Sequence, residues 1–261
     1  MVSLFLFAHQ DDEFGVFHEI ATTIARGERA VCVYLTNGAW RDVSPARRNA
    51  ESTEVLRRLG IPNHEIHFLG TDIGIPGSAL VESLDRCWDA LILRVAQIGK
   101  IDRVIMHAWE GGHHDHDAAH LLGVAIAARC HVVEASRQFP LYRAPGGRFR
   151  VAFAAPLPAN GLVSRSPIPW ATRFANLARL RFYRSQLRTL VKLMPWMALD
   201  YLTDGCQKLQ PVSLSRITEP PNSGPMLYET WKLYTSERFN WHAAAFIAGH
   251  CELGGAGSAA P

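Results

Sequence analysis

The first half of the chain alternates short apolar runs with longer mixed stretches. Val2 to Ala8 is a continuous apolar run, the pattern of a strand covered on both faces, and a helical stretch follows from about Asp12 to Arg26, ending at Gly27. Residues 30–36 predict a second strand, closed by the turn signal of Asn37 and Gly38. A helix is predicted from about Ser44 to Leu59, with Gly60 and Pro62 behind it as stop signals. Strands at 65–70 and 103–108 bracket an amphipathic helix at 80–98, and a further helix runs from Asp115 to about Val133. This order of strands and helices predicts an α/β fold: a three-layer α/β/α arrangement with a mostly parallel, Rossmann-like sheet wound right-handed.

The second half is less regular. Residues 149–155 read as a strand, and the proline-rich stretch 156–170 reads as a loop long enough to line or cover a site. A helix is expected from Thr172 to about Met194, with Phe174, Leu177, Leu180, Leu187 and Met194 on one side. No internal repeat and no shift of composition marks a boundary. The expectation is therefore one domain over 1–251, with a core at 1–155 and a C-terminal part, 156–251, lining the substrate site. The small, glycine-rich residues 252–261 read as a disordered tail.

Composition narrows the class only slightly. With 48% hydrophobic and 20% charged residues the balance is that of a soluble globular protein, and a net charge of +3 is too mild to imply a nucleic-acid partner. Cys32, Cys87, Cys130, Cys206 and Cys251 are scattered without a C-x-x-C pair, which argues against a thiolate metal site and for a reducing compartment. No basic region precedes the apolar run at 2–8, and no run is long enough for a membrane span, so a cytoplasmic location is expected.

Two short segments carry the chemistry. Ala8-His9-Gln10-Asp11-Asp12-Glu13 directly follows the first predicted strand, where ligands of open parallel sheets bind. Three consecutive carboxylates repel one another and suggest a cation. Acids at a helix start would explain Asp11 or Asp12 alone, but not the histidine beside them. The second segment, Gly111 to His120, places four histidines within eight residues after another predicted strand. His113 and His116, or His116 and His120, have the spacing to share a helix face. Two histidines and one carboxylate with an open position form the ligand set of a catalytic zinc site.

These segments resemble those of the LmbE or PIG-L-like deacetylases, which hydrolyse N-acetyl groups from amino sugars and related conjugates. The family motif A-H-P-D-D-E stands here as residues 8–13, and H-P-D-H stands as His113-His114-Asp115-His116. Arg48 and Glu51 look like the family's arginine and glutamate on a helix. Phe68-Leu69-Gly70 with Asp72 looks like its strand end and aspartate, and Tyr183-Arg184-Ser185-Gln186 matches a Y-x-S-Q element. The resemblance covers about residues 2–190. It implies Zn²⁺ held by His9, Asp12 and His116, Asp11 as general base, a protonated His113 facing the reacting carbonyl, Asp115 supporting the ligands from behind, and Arg48 and Asp72 contacting a small N-acylated substrate. Gln10 and His114 replace prolines of the motifs, so the loop geometry can differ and His114 can compete for metal.

Three other readings compete with this one. A Rossmann cofactor enzyme needs a glycine-rich turn after the first strand, and residues 8–13 contain no glycine. A metal-dependent phosphoesterase could use the basic segment Arg165, Arg173, Arg179, Arg181, Arg184, Arg188 and Lys192, although such a segment is more often a solvated face. A non-catalytic metal binder would have little reason to keep Asp11 beside the ligands. The aromatic residues of the second half, Trp170 to Trp241, suit a core or the wall of a sugar or lipid cleft.

Overall fold

In the computed structural model, which describes residues 1–39, 43–145 and 151–251, nine strands and nine α-helices follow one another as β1 (Val2–Phe7), α1 (Phe17–Ala25), β2 (Arg29–Tyr34), α2 (Pro45–Leu59), β3 (Ile66–His67), α3 (Leu69–Asp72), α4 (Leu84–Ile98), β4 (Arg103–His107), α5 (His114–Arg129), β5 (Arg137–Phe139), β6 (Tyr142–Arg143), β7 (Ala152–Phe153), β8 (Ser164–Pro167), α6 (Trp170–Arg179), α7 (Leu187–Thr203), β9 (Cys206–Pro211), α8 (Leu227–Thr230) and α9 (Ser236–His250) among these residues. Seven strands form one sheet in the order β3-β2-β1-β4-β5-β9-β8. The first five are parallel, and β9 and β8 are antiparallel additions at one edge. The expected mostly parallel sheet between helical layers is therefore present.

The alternating faces of β1 explain the layers. Leu4, Leu6 and Ala8 belong to one apolar cluster with α4, α5 and α9, through residues such as Leu91, Leu122 and Phe246. Phe5 and Phe7 belong to a second cluster with α1, α2 and α7, through Ile20, Leu56 and Leu190. Both faces of the strand are apolar because both are covered.

The topology also fixes where a site can form. From β1 the chain moves outward to β2 and β3, then returns to β4 on the other side of β1. The loops leaving β1 and β4 diverge at this switch point and leave a crevice at the carboxyl edge. Phe5 pairs in register with Ile105, so Phe7 and His107 end their strands side by side.

Several elements depart from the sequence expectation. Phe68-Leu69-Gly70 does not extend β3 but turns into α3. A Cβ on Gly70 would lie 2.3 Å from Thr36 Cα, so this glycine permits α3 to lie on the backbone that leaves β2. The expected loop at 156–170 contains β8, which pairs with β9. The expected helix at 172–194 is broken by two 3₁₀ turns around Tyr183, and α7 then continues to Thr203 despite Pro195. Of the strand expected at 149–155, the described residues form a strand at Ala152–Phe153, paired in a hairpin with β6; residues 146–150 and the tail 252–261 lie outside the described residues. No helix among the described residues is long and apolar enough to cross a membrane.

Gly70→Ala should cost about 3 kcal/mol, the upper end for overpacking, because its Cβ meets backbone rather than a side chain that can move. Thermal unfolding should show the midpoint lowered by roughly 6–12 °C; an unchanged midpoint would mean that α3 does not rest on Thr36.

Candidate metal centre

The loop after β1 enters the crevice in a strained conformation. Asp11 has φ 108°, in the left-handed region that side-chain-bearing residues avoid. Such a residue costs on the order of 1–3 kcal/mol unless its surroundings enforce it. Here the Asp11 backbone N–H donates to Glu13 Oε2 at 3.0 Å, and the Tyr183 hydroxyl donates to Glu13 Oε1 at 2.8 Å. The consequence is that the neighbouring carboxylates of Asp11 and Asp12 face different partners.

Asp12 faces histidines. Its Oδ2 accepts the His9 backbone N–H at 2.6 Å and lies 3.1 Å from His107 Nε2 and 3.5 Å from His9 Nδ1. Its Oδ1 lies 3.2 Å from His116 Nε2. Burial works against the charge of Asp12, but the imidazoles of His116 and His107 hold its carboxyl well below the usual range. Asp11 instead meets Arg48, whose Nη2 donates to Oδ1 at 3.0 Å. Burial pushes Asp11 up to about 7, with the neighbouring acids adding to the rise and Arg48 opposing it.

The helix α5 supplies the other side. Fourteen of its sixteen residues are buried, so its polar side chains must find partners inside the protein. His113 caps its start: His113 Nδ1 accepts the Asp115 backbone N–H at 3.1 Å. Burial, and then the charge of His9, push His113 well below its ordinary pKa, so it is a neutral ring with its proton on Nε2 rather than the expected imidazolium. Asp115 accepts the Ser78 and Leu80 N–H groups and lies 2.9 Å from His9 Nε2, which turns His9 Nδ1 toward Asp12.

The residues fit a divalent cation. His9, His113 and His116 form one convergent group of potential ligand atoms, and Asp12, His107 and His116 form another. Burial pushes His116 down to about 4, so the ring is neutral at neutral pH; its Nε2 faces Asp12 Oδ1, and its Nδ1 is buried without a hydrogen bond. A neutral imidazole beside a buried carboxylate, with its other nitrogen unmet, is suited to a metal.

Of the residues singled out in the sequence, His9, Asp11, Asp12, His113, Asp115 and His116 are brought together here. Arg48 is adjacent, but its guanidinium is committed to the protein: besides Asp11 it donates to the carbonyls of Gly38, at 2.6 Å, and Gln10. Asp72 is not brought to the cluster; it is exposed, and its carboxylate lies 3.5 Å from Arg94 on α4. His114 stacks on Tyr234 at 4.6 Å, and its Nε2 lies 3.2 Å from Ser78 O. His120 Nδ1 donates to His107 O at 2.8 Å. Gln10 has lost the motif's proline but ties the loop down by donating to Thr36 O and Asn49 Oδ1.

Two residues were missed in the sequence. His107 closes β4 and stacks against His116 at 4.1 Å; its place at a strand's carboxyl end was the available signal. Tyr142 stands 5.3 Å from the His116 ring, with Trp231 5.9 Å beyond it. Glu110 holds Tyr142 there, since Glu110 Oε1 accepts the Leu141 and Tyr142 N–H groups. Nothing in the local sequence around Tyr142 announces this role.

Comparison with known proteins supports the same region. Residues 4–127 match the family model of PIG-L, the GlcNAc-PI de-N-acetylases. The match spans just under half of the chain and carries both motifs. No curated protein matches the sequence significantly. Among solved structures, a deacetylase of teicoplanin biosynthesis superposes with a TM-score of 0.61 at 16% identity, covering 82% of this chain and 98% of that one. The A40926 pseudoaglycone deacetylase gives 0.59 at 17% identity, covering 81% and 96%. The N,N'-diacetylchitobiose deacetylase of Pyrococcus horikoshii gives 0.52 at 16%, covering 81% and 82%. At these identities the likeness is one of fold. It extends beyond the segment that the family model matches.

The electrostatics predict how the cluster loads. Burial disfavours a charged His9, but hydrogen bonds to Asp115 and Asp12 outweigh it and raise the ring to about 10. A cation that takes Nδ1 must displace that proton, so affinity for a divalent cation should rise with pH through the neutral range. Calorimetry in buffers of different ionisation enthalpy should show about one proton released per ion bound. His116→Ala should retain little metal by elemental analysis; full retention would remove His116 from the ligand set.

Proposed function

We propose that this protein is a zinc-dependent hydrolase that removes an acyl group, acetyl in the simplest case, from the nitrogen of an amino sugar or amino-sugar conjugate. The observation that carries this reading is the division of labour between two adjacent aspartates: Asp12 among the imidazoles, Asp11 turned away from them by its left-handed backbone. A PIG-L segment that includes both motifs and a fold shared with three deacetylases support the reaction class.

In this reading His9, Asp12 and His116 hold the ion, and His107 supports Asp12 from behind. A bound zinc ion supplies Lewis acidity, bringing the acidity of water near neutral pH and polarising a carbonyl. Asp11 is the general base: it takes the proton of the attacking water and returns one to the departing amine. Its elevated pKa suits both directions of transfer near neutrality. His113 donates through Nε2–H to the oxygen on which negative charge develops, and it needs no second proton to do so. Arg48 sets the pKa of Asp11 and clamps the loop at Gln10 and Gly38. Tyr142 and Trp231 offer aromatic faces suited to a sugar ring.

An acetate-release screen of the zinc-loaded protein against N-acetylated sugars and their conjugates tests the reaction directly; release from none of them, with metal bound, would overturn it. Asp11→Asn should lower kcat by ~10²–10⁴-fold with zinc content unchanged. If that variant loses its metal while Asp12→Asn keeps it, the two roles are reversed.

The role of Arg48 has its own signature. Its charge lowers the pKa of Asp11, so Arg48→Met should raise that pKa and move the acid limb of the kcat/KM profile to higher pH, where the base is again ionised. A residue that only contacted substrate would raise KM and leave the limb in place.

A further inference from the structure

The helices α6 and α7 carry an exposed surface that neither the cluster nor the core uses. The inner side of α7 is fixed to the fold by Leu190, Met197 and Tyr201, which are buried in the apolar layer. Its outer side is apolar as well. Leu187, Val191, Met194 and Leu202 recur four, three and eight residues apart, which places them on one stripe of the helix, and all four are exposed, Val191 at 58% and Leu202 at 67%. Arg188 and Lys192, one position after Leu187 and Val191, flank that stripe. Beside the end of α7, Arg173 on α6 donates to Tyr201 O and lies over the Trp170 ring. Trp170 and Phe174 are 52% and 66% exposed there, with their rings 6.2 Å apart.

The charge of this segment has one sign. From Gly161 to Leu199 there is no carboxylate side chain, against seven arginines and lysines. Arg165 pairs with Asp204, and Arg173 and Arg179 bond within the helices. Arg184, Arg188 and Lys192 have no ion-pair partner among the described residues and are exposed. A solvated helix face would alternate charges and leave large apolar side chains elsewhere. A stripe of aliphatic and aromatic side chains edged by unpaired cations is the composition of a helix that lies in a membrane interface.

We infer that the outer face of α6 and α7 docks on an anionic phospholipid surface, with the apolar stripe entering the acyl boundary and Arg184, Arg188 and Lys192 meeting the headgroups. One apolar contact alone gives marginal attachment, and the basic edge supplies the second signal that stable binding requires. The face is fastened to the catalytic loop. Between the two helices the Tyr183 hydroxyl donates to Glu13, and the Ser185 N–H and hydroxyl both donate to Glu51 of α2. Docking would therefore hold the cluster at a fixed distance from the bilayer. The inference stands independently of the acyl-hydrolase reading.

Vesicle flotation tests it with the full chain. The protein should float with vesicles of equal parts phosphatidylglycerol and phosphatidylcholine at low salt, and not with phosphatidylcholine alone. Each basic residue at such a surface contributes about fivefold to partitioning. Arg188→Glu with Lys192→Glu should therefore lower binding at least about twentyfold, and Val191→Ser with Leu202→Ser should lower it about tenfold. All four positions are exposed, and circular dichroism should show both pairs folded like the parent. No flotation of the parent, or undiminished flotation of both pairs, would overturn the inference. So would concentration-dependent self-association that Val191→Ser with Leu202→Ser abolishes while vesicle binding is absent, because the face would then belong to a second copy of the chain.

Discussion

The buried carboxylate of Asp12 is the constraint around which the site is arranged. An ionised acid removed from water carries a desolvation penalty of several kcal/mol, and it persists only where charge and hydrogen bonds replace the lost hydration. Asp12 is 4% exposed and receives the His9 backbone N–H together with the approach of three imidazoles. Its neighbours solve the same problem differently. Asp11 takes Arg48, and Glu13 takes the Asp11 N–H and the Tyr183 hydroxyl. Three consecutive acids can be buried because the chain reverses its backbone sense at the first of them, and each carboxylate then points at a different donor.

That solution recruits distant parts of the sequence. Tyr183 lies far beyond the matched PIG-L segment, yet its hydroxyl holds the glutamate that fixes the loop. Ser185, two residues on, caps the carboxylate of Glu51 with its N–H and hydroxyl. The Y-x-S-Q element is thus a clasp between the C-terminal helices and the metal loop, and the 3₁₀ turns that break the helix there deliver both residues. Glu110 does comparable work on the other side by positioning Tyr142 beside His116.

The parallel half of the fold was legible because its signals are local. Apolar runs of strand length, a glycine or proline after each helix, and motifs at strand ends all depend on neighbouring residues. The edge strands were not legible for the same reason. Ser164–Pro167 has two prolines within five residues of it and little apolar character, and it becomes β8 only because β9 offers it an antiparallel partner. Phe68-Leu69-Gly70 looked like the end of a strand, but a tertiary contact decides its shape: Gly70 lies on the Thr36 backbone. In the cluster, the residues carried by the two motifs were found and the isolated ones were not. His107 and Tyr142 stand alone in their segments, and only the register of β4 beside β1 and the clamp of Glu110 make them neighbours of the histidines. Arg48 is expected from the sequence to contact substrate, but its guanidinium pairs with Asp11, a tertiary contact that neither local segment encodes.

The surplus of histidines around Asp12 bears on how such a site discriminates between holding a metal and merely surrounding a charge. His9 carries the proton that balances Asp12 and Asp115, while His116 is neutral, with Nε2 3.2 Å from Asp12 and Nδ1 buried without a hydrogen bond. The two rings are therefore not equivalent. His9 exchanges a proton for the ion, so its contribution to affinity depends on pH. His116 is already neutral, so it can turn a nitrogen to the ion without losing a proton. Asp115 keeps His9 in the one orientation that allows the exchange, because it is itself fixed by the Ser78 and Leu80 N–H groups. The pH dependence of loading therefore rests on His9 and on the carboxylate that holds its proton in place.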